Sequence, residues 1–122
     1  MARVELGERD VTVRLSPLDE VLALHGSLQI PYTHIAAASA DPVPPDWYRG
    51  IKIGTNIPGV KVAGSFITGD GAIFYDFHDG DRCLTLDLSH EHYRRVVVEV
   101  DRDQDPAALA SEIQSRARGG QR

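Results

Sequence analysis

Apolar residues recur at every second position in several short segments, and this spacing constrains the fold more than any other feature of the chain. The clearest series lie at residues 11–15, 84–88 and 96–100. Successive side chains of a β-strand point to opposite faces, so the pattern predicts strands with one buried face. The chain is therefore expected to be mainly β.

Turn signals separate these segments. Asp70-Gly71 and Asp79-Gly80 are D-G pairs, which favour tight hairpins between antiparallel strands. They predict a meander through strands at 60–68, 72–77 and 83–88. Further strands are expected at 28–32, where Pro31 indicates a sheet edge, at 35–40, and briefly at 51–53. Six or seven antiparallel strands of this kind form a barrel or an orthogonal sandwich.

A short helix is predicted after the first strand. Ser16 and Asp19 fit a capping box, with Pro17 at the first helical position. Gly26 stands where the helix should end. The apolar stripe expected to face the core consists of Leu18, Val21, Leu22 and His25.

A second helix closes the chain at 105–118. Asp105 is the expected N-cap and Pro106 the first helical residue. Its apolar face comprises Leu109, Ala110, Ile113 and Ala117. We expect this face to plug the open end of the barrel.

Composition excludes several classes of partner. The formal net charge is −5, which disfavours nucleic acid and anionic membranes. Cys83 is the single cysteine, so no intrachain disulfide can form. The charged first ten residues do not resemble a signal peptide, and no apolar run approaches the roughly 20 residues of a membrane span. A cytoplasmic location without membrane insertion is expected.

Two stretches carry a resemblance to a known family. They are Leu15-Ser16-Pro17-Leu18-Asp19-Glu20-Val21, continuing to Ile30-Pro31, and Gly50-Ile51-Lys52-Ile53-Gly54-Thr55 with Ile57-Pro58-Gly59-Val60. The chain resembles a family of small bacterial proteins, commonest in actinobacteria and without an assigned activity, of the pleckstrin-homology (PH-like) superfold. The resemblance implies a PH-like domain over 10–118 with a capping C-terminal helix, and no catalytic residue. Residues 1–9 would be an extension of uncertain order and 119–122 a frayed tail.

Candidate chemical sites are weak. Residues 54–61 approach a P-loop pattern, but Val60 stands where that pattern has its lysine. His90 and His92, with His78 nearby, do not match the spacing of a known metal site. Phosphoinositide binding is not expected, because the chain has no Lys or Arg between positions 14 and 49. The sequence predicts no cofactor, no metal site and no catalytic residue.

The long loop at 41–58 supplies the remaining candidate. It is rich in Pro and Gly and contains Trp47, Tyr48 and Arg49, residue types that are enriched at interface hot spots. We expect a non-catalytic module for protein interaction or self-association, through this loop or through the edge strand broken by Pro31. Trp47 could instead cover one end of the barrel. The alternative function is a small-ligand-binding protein or enzyme with a pocket at the barrel mouth.

Overall fold

A computed structural model describes residues 2–23, 26–43, 51–57, 61–69 and 71–120, with backbone alone at 51–53, 55–57, 68 and 119–120. Within these ranges the chain forms nine strands and two α-helices. The elements are β1 (Ala2–Leu6), β2 (Asp10–Leu15), α1 (Pro17–Ala23), β3 (Leu28–Pro31), β4 (Ile35–Ser39), β5 (Ile51–Ile57), β6 (Lys61–Thr68), β7 (Gly71–Phe77), β8 (Cys83–Leu88), β9 (Tyr93–Glu99) and α2 (Pro106–Gly120). Single 3₁₀ turns at Tyr32–His34 and Gly80–Arg82 precede β4 and β8.

The strands form two sheets. One has the order β1-β2-β3 and the other the order β4-β8-β9-β7-β6-β5, with a single parallel bridge between Ala2 and Val100. The prediction of a mainly β chain with a C-terminal helix is confirmed. The prediction of six or seven antiparallel strands in a barrel or an orthogonal sandwich is wrong in its strand count and in the barrel, because the nine strands of the described ranges form two sheets that do not close. One cause is residues 2–6, treated as an extension, which pair along their whole length with β2.

The strand order after β7 differs from the expected meander. The hairpin at the first D-G pair is confirmed, since Thr68 pairs with Gly71. The second hairpin is wrong, because β8 pairs with β9 and leaves β9 parallel to β7. A physical cause is visible at the turn. Glu99 Oε1 accepts hydrogen bonds from the amides of His78 and Asp79, at 2.8 and 2.9 Å, so β9 binds the end of β7 directly.

The main core lies between the two sheets and α2. The alternating residues of the sequence pattern are buried there as predicted, among them Val11, Val13, Leu84, Leu86, Val96 and Val98. The predicted face of α2 is confirmed: Ala110, Ile113 and Ala117 are buried, and Leu109 packs against the core. However, α2 packs beside β4 and β8 instead of plugging a barrel end.

The six-stranded sheet is also buried on its opposite face. A second apolar cluster there comprises Val62, Phe66, Ile73, Tyr75, Phe77, Cys83 and Val97, with Val43 packed against it. Cys83 lies opposite the Leu84 and Leu86 face, as the alternation predicted. A sheet with two buried faces explains why β7 reads as a nearly continuous apolar run.

The predicted apolar stripe of helix α1 is buried only in part. The cap of the helix is confirmed, since the amide of Asp19 donates to Ser16 Oγ at 3.2 Å. Leu22 packs partly buried against the core, as predicted. The predicted burial of Leu18 and Val21 is wrong, because they are 66% and 69% exposed, while Asp19 is only 4% exposed. His25 lies outside the described residues.

The described backbone has regular structure near both chain ends. Residues 2–6 form β1, and α2 extends to Gly120. The domain boundaries at 10 and 118 stay a prediction. Residues 121 and 122 lie outside the described part of the chain. No helix within the described ranges is both long enough and apolar enough to cross a bilayer.

Candidate functional site

The edges of the two sheets differ in how well their backbone groups are covered. The outer strands are β1 and β3 in one sheet and β4 and β5 in the other. An edge strand presents unpaired N–H and C=O groups that can pair with another chain, and proteins usually block such edges. How each edge is treated therefore indicates where a partner strand could add.

The β1 edge is closed by the segment that follows β9. Gln104 Nε2 donates to the carbonyl of Val4 at 2.8 Å, and its Oε1 accepts from the Val4 amide at 2.9 Å. The amide of Asp101 donates to the carbonyl of Ala2 at 2.9 Å. A side-chain amide thus replaces a neighbouring strand, and the edge is occupied from within the chain.

The β4 edge is covered by α2. Gln114 Oε1 accepts a hydrogen bond from the amide of Ala38 at 3.2 Å. The helix packs along this strand with Ile113 fully buried. A second strand could not approach β4 here without displacing α2.

The β3 edge is short and is interrupted by Pro31, as the sequence predicted. The Tyr32 amide donates to the carbonyl of Arg9, so residue 32 points its backbone towards β2. Backbone groups alternate in direction along an antiparallel strand, which turns position 31 outward. Proline has no N–H to offer there, so β3 is a poor site for strand addition.

The β5 edge is the open one. β5 has seven residues without proline, each paired with β6. Within the described ranges, no group is hydrogen-bonded to its outer side. Of the four edges, this one has the longest continuous row of backbone groups without an outer partner among the described residues.

Gly54 lies at the middle of β5 and brings its backbone unusually close to β6. Its φ is +130°, and it pairs with Gly64, whose φ is +144°. A Cβ at position 54 would lie 2.2 Å from the carbonyl oxygen of Ala63. Gly54, which belongs to one of the two stretches that carry the family resemblance, therefore has a steric role in the pairing of β5 with β6.

Helix α1 packs against the outer strand β5 and against β6, and it exposes apolar side chains. Leu18 and Val21 are two of the three large apolar residues found exposed in the described chain. Exposed apolar side chains next to an open strand edge are features of interaction surfaces. We call the β5 edge together with Leu18 and Val21 the β5 edge surface.

A buried cluster of charges fixes α1 to the six-stranded sheet. Lys61, the first residue of β6, places its Nζ 2.8 Å from Asp76 Oδ1 and 3.1 Å from Asp19 Oδ1. Asp76 on β7 is completely buried, and the Lys61 side chain is 14% exposed. Neither oxygen of Asp76 meets hydrogen-bond geometry, so we describe its contact with Lys61 as an ion pair.

The environment shifts the pKa of each member of this cluster. Burial raises the pKa of Asp76 to about 6, with nearby Asp19 adding to the rise and Lys61 opposing it. Burial also acts to raise the pKa of Asp19, but its interactions with Asp76 and Lys61 act against burial, and the pKa is lowered. Burial acts to lower the pKa of Lys61, and the two carboxylates reverse that, so its pKa is raised. Lys61 thus stays charged at neutral pH, and Asp76 binds a proton at a higher pH than an ordinary aspartate does.

The other sequence candidates are not brought together in a reactive site. Trp47, Tyr48 and Arg49 lie outside the described residues. Burial raises the pKa of the Cys83 thiol to about 12, which leaves it unreactive at neutral pH. Residues 54–57 and 61 of the P-loop-like pattern lie in β5 and β6, so no helix follows it.

The histidines of the β8–β9 turn contact acidic and aromatic neighbours. His34 Nδ1 lies 2.5 Å from Glu91 Oε2, and the ring of His90 lies 6.0 Å from that of His34. No group of three or more potential metal ligands occurs among the residues that the structure describes. His90 has a φ of +60°, which belongs to the tight turn itself.

The predicted ligand pocket has no barrel mouth to occupy, because the sheets do not close. Apolar side chains fill the space between them. An apolar-lined cleft of about 560 Å³ lies at the surface, between Arg9, Tyr32 and Arg116. We find no convergent set of catalytic groups in it.

Lys61 and Asp76 were missed in the sequence analysis, and Asp19 was assigned a role only in capping α1. One signal was available. Asp76 interrupts the run Ala-Ile-Phe-Tyr-Asp-Phe, where a strand buried on both faces should contain no acid. Such a residue in a buried strand indicates a partner of opposite charge.

Comparisons with protein-family models, with curated proteins and with solved structures each found no match to this chain. The functional argument therefore depends on the geometry described above.

Proposed function

We propose that this chain is a non-catalytic interaction module that binds an extended segment of a partner protein at the β5 edge surface. The proposal is based on a difference in how the edges of the two sheets are covered. Gln104 and α2 cover two of them and Pro31 interrupts a third, whereas the seven residues of β5 are left open within the described chain. Selective blocking of the other edges is typical of a sheet that keeps one edge for a partner.

Strand addition supplies affinity through the backbone. Each main-chain hydrogen bond of an added strand contributes about 1 kcal/mol, so a segment of five or six residues can bind without a deep pocket. Leu18 and Val21 would add apolar contacts, and these side chains would set the sequence preference of the partner. A second copy of the chain is the other strand that this edge could accept.

The PH-like kinship is proposed for the general layout only. The helix that ends the chain and packs on the sheets supports it. The parallel β7–β9 pair departs from the antiparallel arrangement that the resemblance implies. The interaction proposal therefore depends on the edges and not on the kinship.

Proline substitution tests the edge directly. Amides alternate in direction along a strand, so one of Lys52→Pro and Ile53→Pro removes an outward amide and the other removes an amide bonded to β6. The matched control is Gln29→Pro, which removes an outward amide from the β3 edge. Thermal unfolding identifies the β5 variant that keeps the native transition.

The binding measurement uses peptides selected from a displayed random library against the whole chain. We expect a selected peptide to slow hydrogen exchange of amides 51–57. We expect it to bind the folded β5 proline variant at least about tenfold more weakly, and the Gln29→Pro control with unchanged affinity. Protection of another edge, or equal affinity for the β5 variant, would overturn the proposal. Light scattering of the free chain tells self-association from binding of a separate partner.

A further inference from the structure

We propose that Asp19, Lys61 and Asp76 form a proton-operated latch, in which uptake of one proton by the two carboxyl groups tightens the docking of α1 on β5 and β6. The inference deepens the proposed function, because α1 carries the apolar part of the β5 edge surface. We call these three residues the latch cluster.

The buried position of Asp76 makes the ionised form of its carboxyl group energetically unfavourable. The residue lies on β7 between two neighbouring strands, opposite Ala63 of β6 and Val98 of β9, and neither partner carries a polar side chain. It is completely buried. An ionised carboxylate in such surroundings requires a close positive partner or a proton.

Among the residues that the structure describes, Lys61 is the one cation that meets this need. The charged groups there that face Asp76 are Lys61 from β6 and Asp19 from α1. Lys61 is shared, since its Nζ also lies 3.1 Å from Asp19 Oδ1. With both acids ionised, two carboxylates lie close to the same ammonium and repel each other.

A proton changes this repulsion into attraction. A protonated Asp76 can donate its O–H to the Asp19 carboxylate while Lys61 remains paired with Asp19. Hydrogen bonds between a carboxylic acid and a carboxylate are among the stronger ones in proteins. The proton comes from solvent and no covalent bond to carbon changes.

Helix α1 is sensitive to this change because few buried side chains hold it. It has seven residues, too few to be stable without tertiary contacts. Leu18 and Val21 point away from the core, Leu22 is partly buried against it, and Ala23 is the one fully buried apolar residue of the helix. The ion pair of Asp19 with Lys61 therefore contributes to the docking of α1 together with these two apolar side chains.

Hydrogen exchange of the free protein measures the docking directly. The pKa of Asp76 is about 6 when α1 is docked, and a released, solvated carboxyl would titrate near its ordinary value. Linkage then gives about a tenfold rise in the protection of α1 amides between pH 7.5 and pH 5.0, after correction for intrinsic exchange rates. The amides of α2 serve as the internal reference.

Two variants separate the latch from general pH effects. Asp76→Asn imitates the protonated side chain, and we expect α1 protection that no longer changes with pH. Asp87→Asn is the matched control, since Asp87 is a half-exposed carboxylate on β8 paired with Arg95, and its pH response should match the wild type. Should Asp76→Asn fail to fold, the carboxyl carbon shift of Asp76 in the wild-type chain must show a midpoint near 6 that coincides with the change in α1.

The proposal is overturned if α1 protection is flat in the wild type, or if Asp76→Asn keeps the pH response. No partner is present in this measurement. Its failure therefore leaves the peptide-binding result at the β5 edge intact, and a failure of peptide binding leaves the exchange result intact.

Discussion

Gln104 binds Val4 through both backbone groups of that residue, donating to its carbonyl at 2.8 Å and accepting from its amide at 2.9 Å. The two residues are one hundred positions apart in the chain. A loop side chain thereby completes the outer edge of the three-stranded sheet, and the amino-terminal strand is held by the segment that leads into the last helix.

Gln104→Leu should open this edge. Two hydrogen bonds are lost and the backbone groups of Val4 turn to solvent, so we expect unfolding free energy to fall by about 1–3 kcal/mol in urea titration. The control is Gln29→Leu, where a surface bond to Asp10 is lost and the change should stay within about 0.5 kcal/mol. Equal losses in both variants would show that the Gln104 contact has no special role.

Stability should increase on mild acidification. The pKa of Asp76 is raised to about 6, so the folded state binds more protons than the unfolded state, and stability is gained as the pH falls through 6. Between pH 7.5 and pH 5.0 we expect a gain of about 1 kcal/mol from this residue. The lowered pKa of Asp19 acts in the opposite sense, and its contribution is lost as the pH falls further, below the usual carboxyl range.

Urea titrations of the wild type and Asp76→Asn at both pH values measure this contribution by difference. The variant should lack the gain. A gain of the same size in both proteins would assign it to other groups.

Gly54→Ala should disrupt the pairing of β5 with β6. The added Cβ would lie 2.2 Å from the Ala63 carbonyl oxygen, and a φ of +130° is unfavourable for alanine. We expect a loss of at least about 2 kcal/mol, together with faster hydrogen exchange at residues 51–57. Gly69→Ala is the control, because a Cβ there would meet no atom within 4 Å. A Gly54→Ala protein as stable as Gly69→Ala would contradict the close approach.

The exposed side chains of α1 should matter for binding and not for folding. Replacing both Leu18 and Val21 by Glu should change unfolding free energy by less than about 1 kcal/mol, since each is about two-thirds exposed. A peptide bound at the β5 edge should lose affinity, which titration calorimetry can measure. A large loss of stability would contradict the exposure of Leu18 and Val21 in the structure.

Much of the fold could be predicted from local pattern. The alternating residues of β2, β8 and β9 are buried as expected, the hairpin at Asp70-Gly71 forms, and the face of α2 around Ile113 is buried. These features depend on the strand and helix periods and on the backbone preference of glycine, which neighbouring residues already determine.

The errors share a cause. Strand β1 was missed because its edge is completed by Gln104, far away in sequence. The second hairpin was wrong because Glu99 binds the turn amides and draws β9 beside β7. The face of α1 was wrong in part, because Asp19 is buried against Lys61 and Asp76.

By itself the sequence determined most of the strands and both helices, and which side of most of them is apolar, because periodicity and turn chemistry act over a few residues. The tertiary structure alone decided which strands pair, which edge is left open and which charges meet beneath α1. Those outcomes depend on contacts between residues that are distant along the chain, and the energy of a buried charge is set by neighbours that only folding brings together.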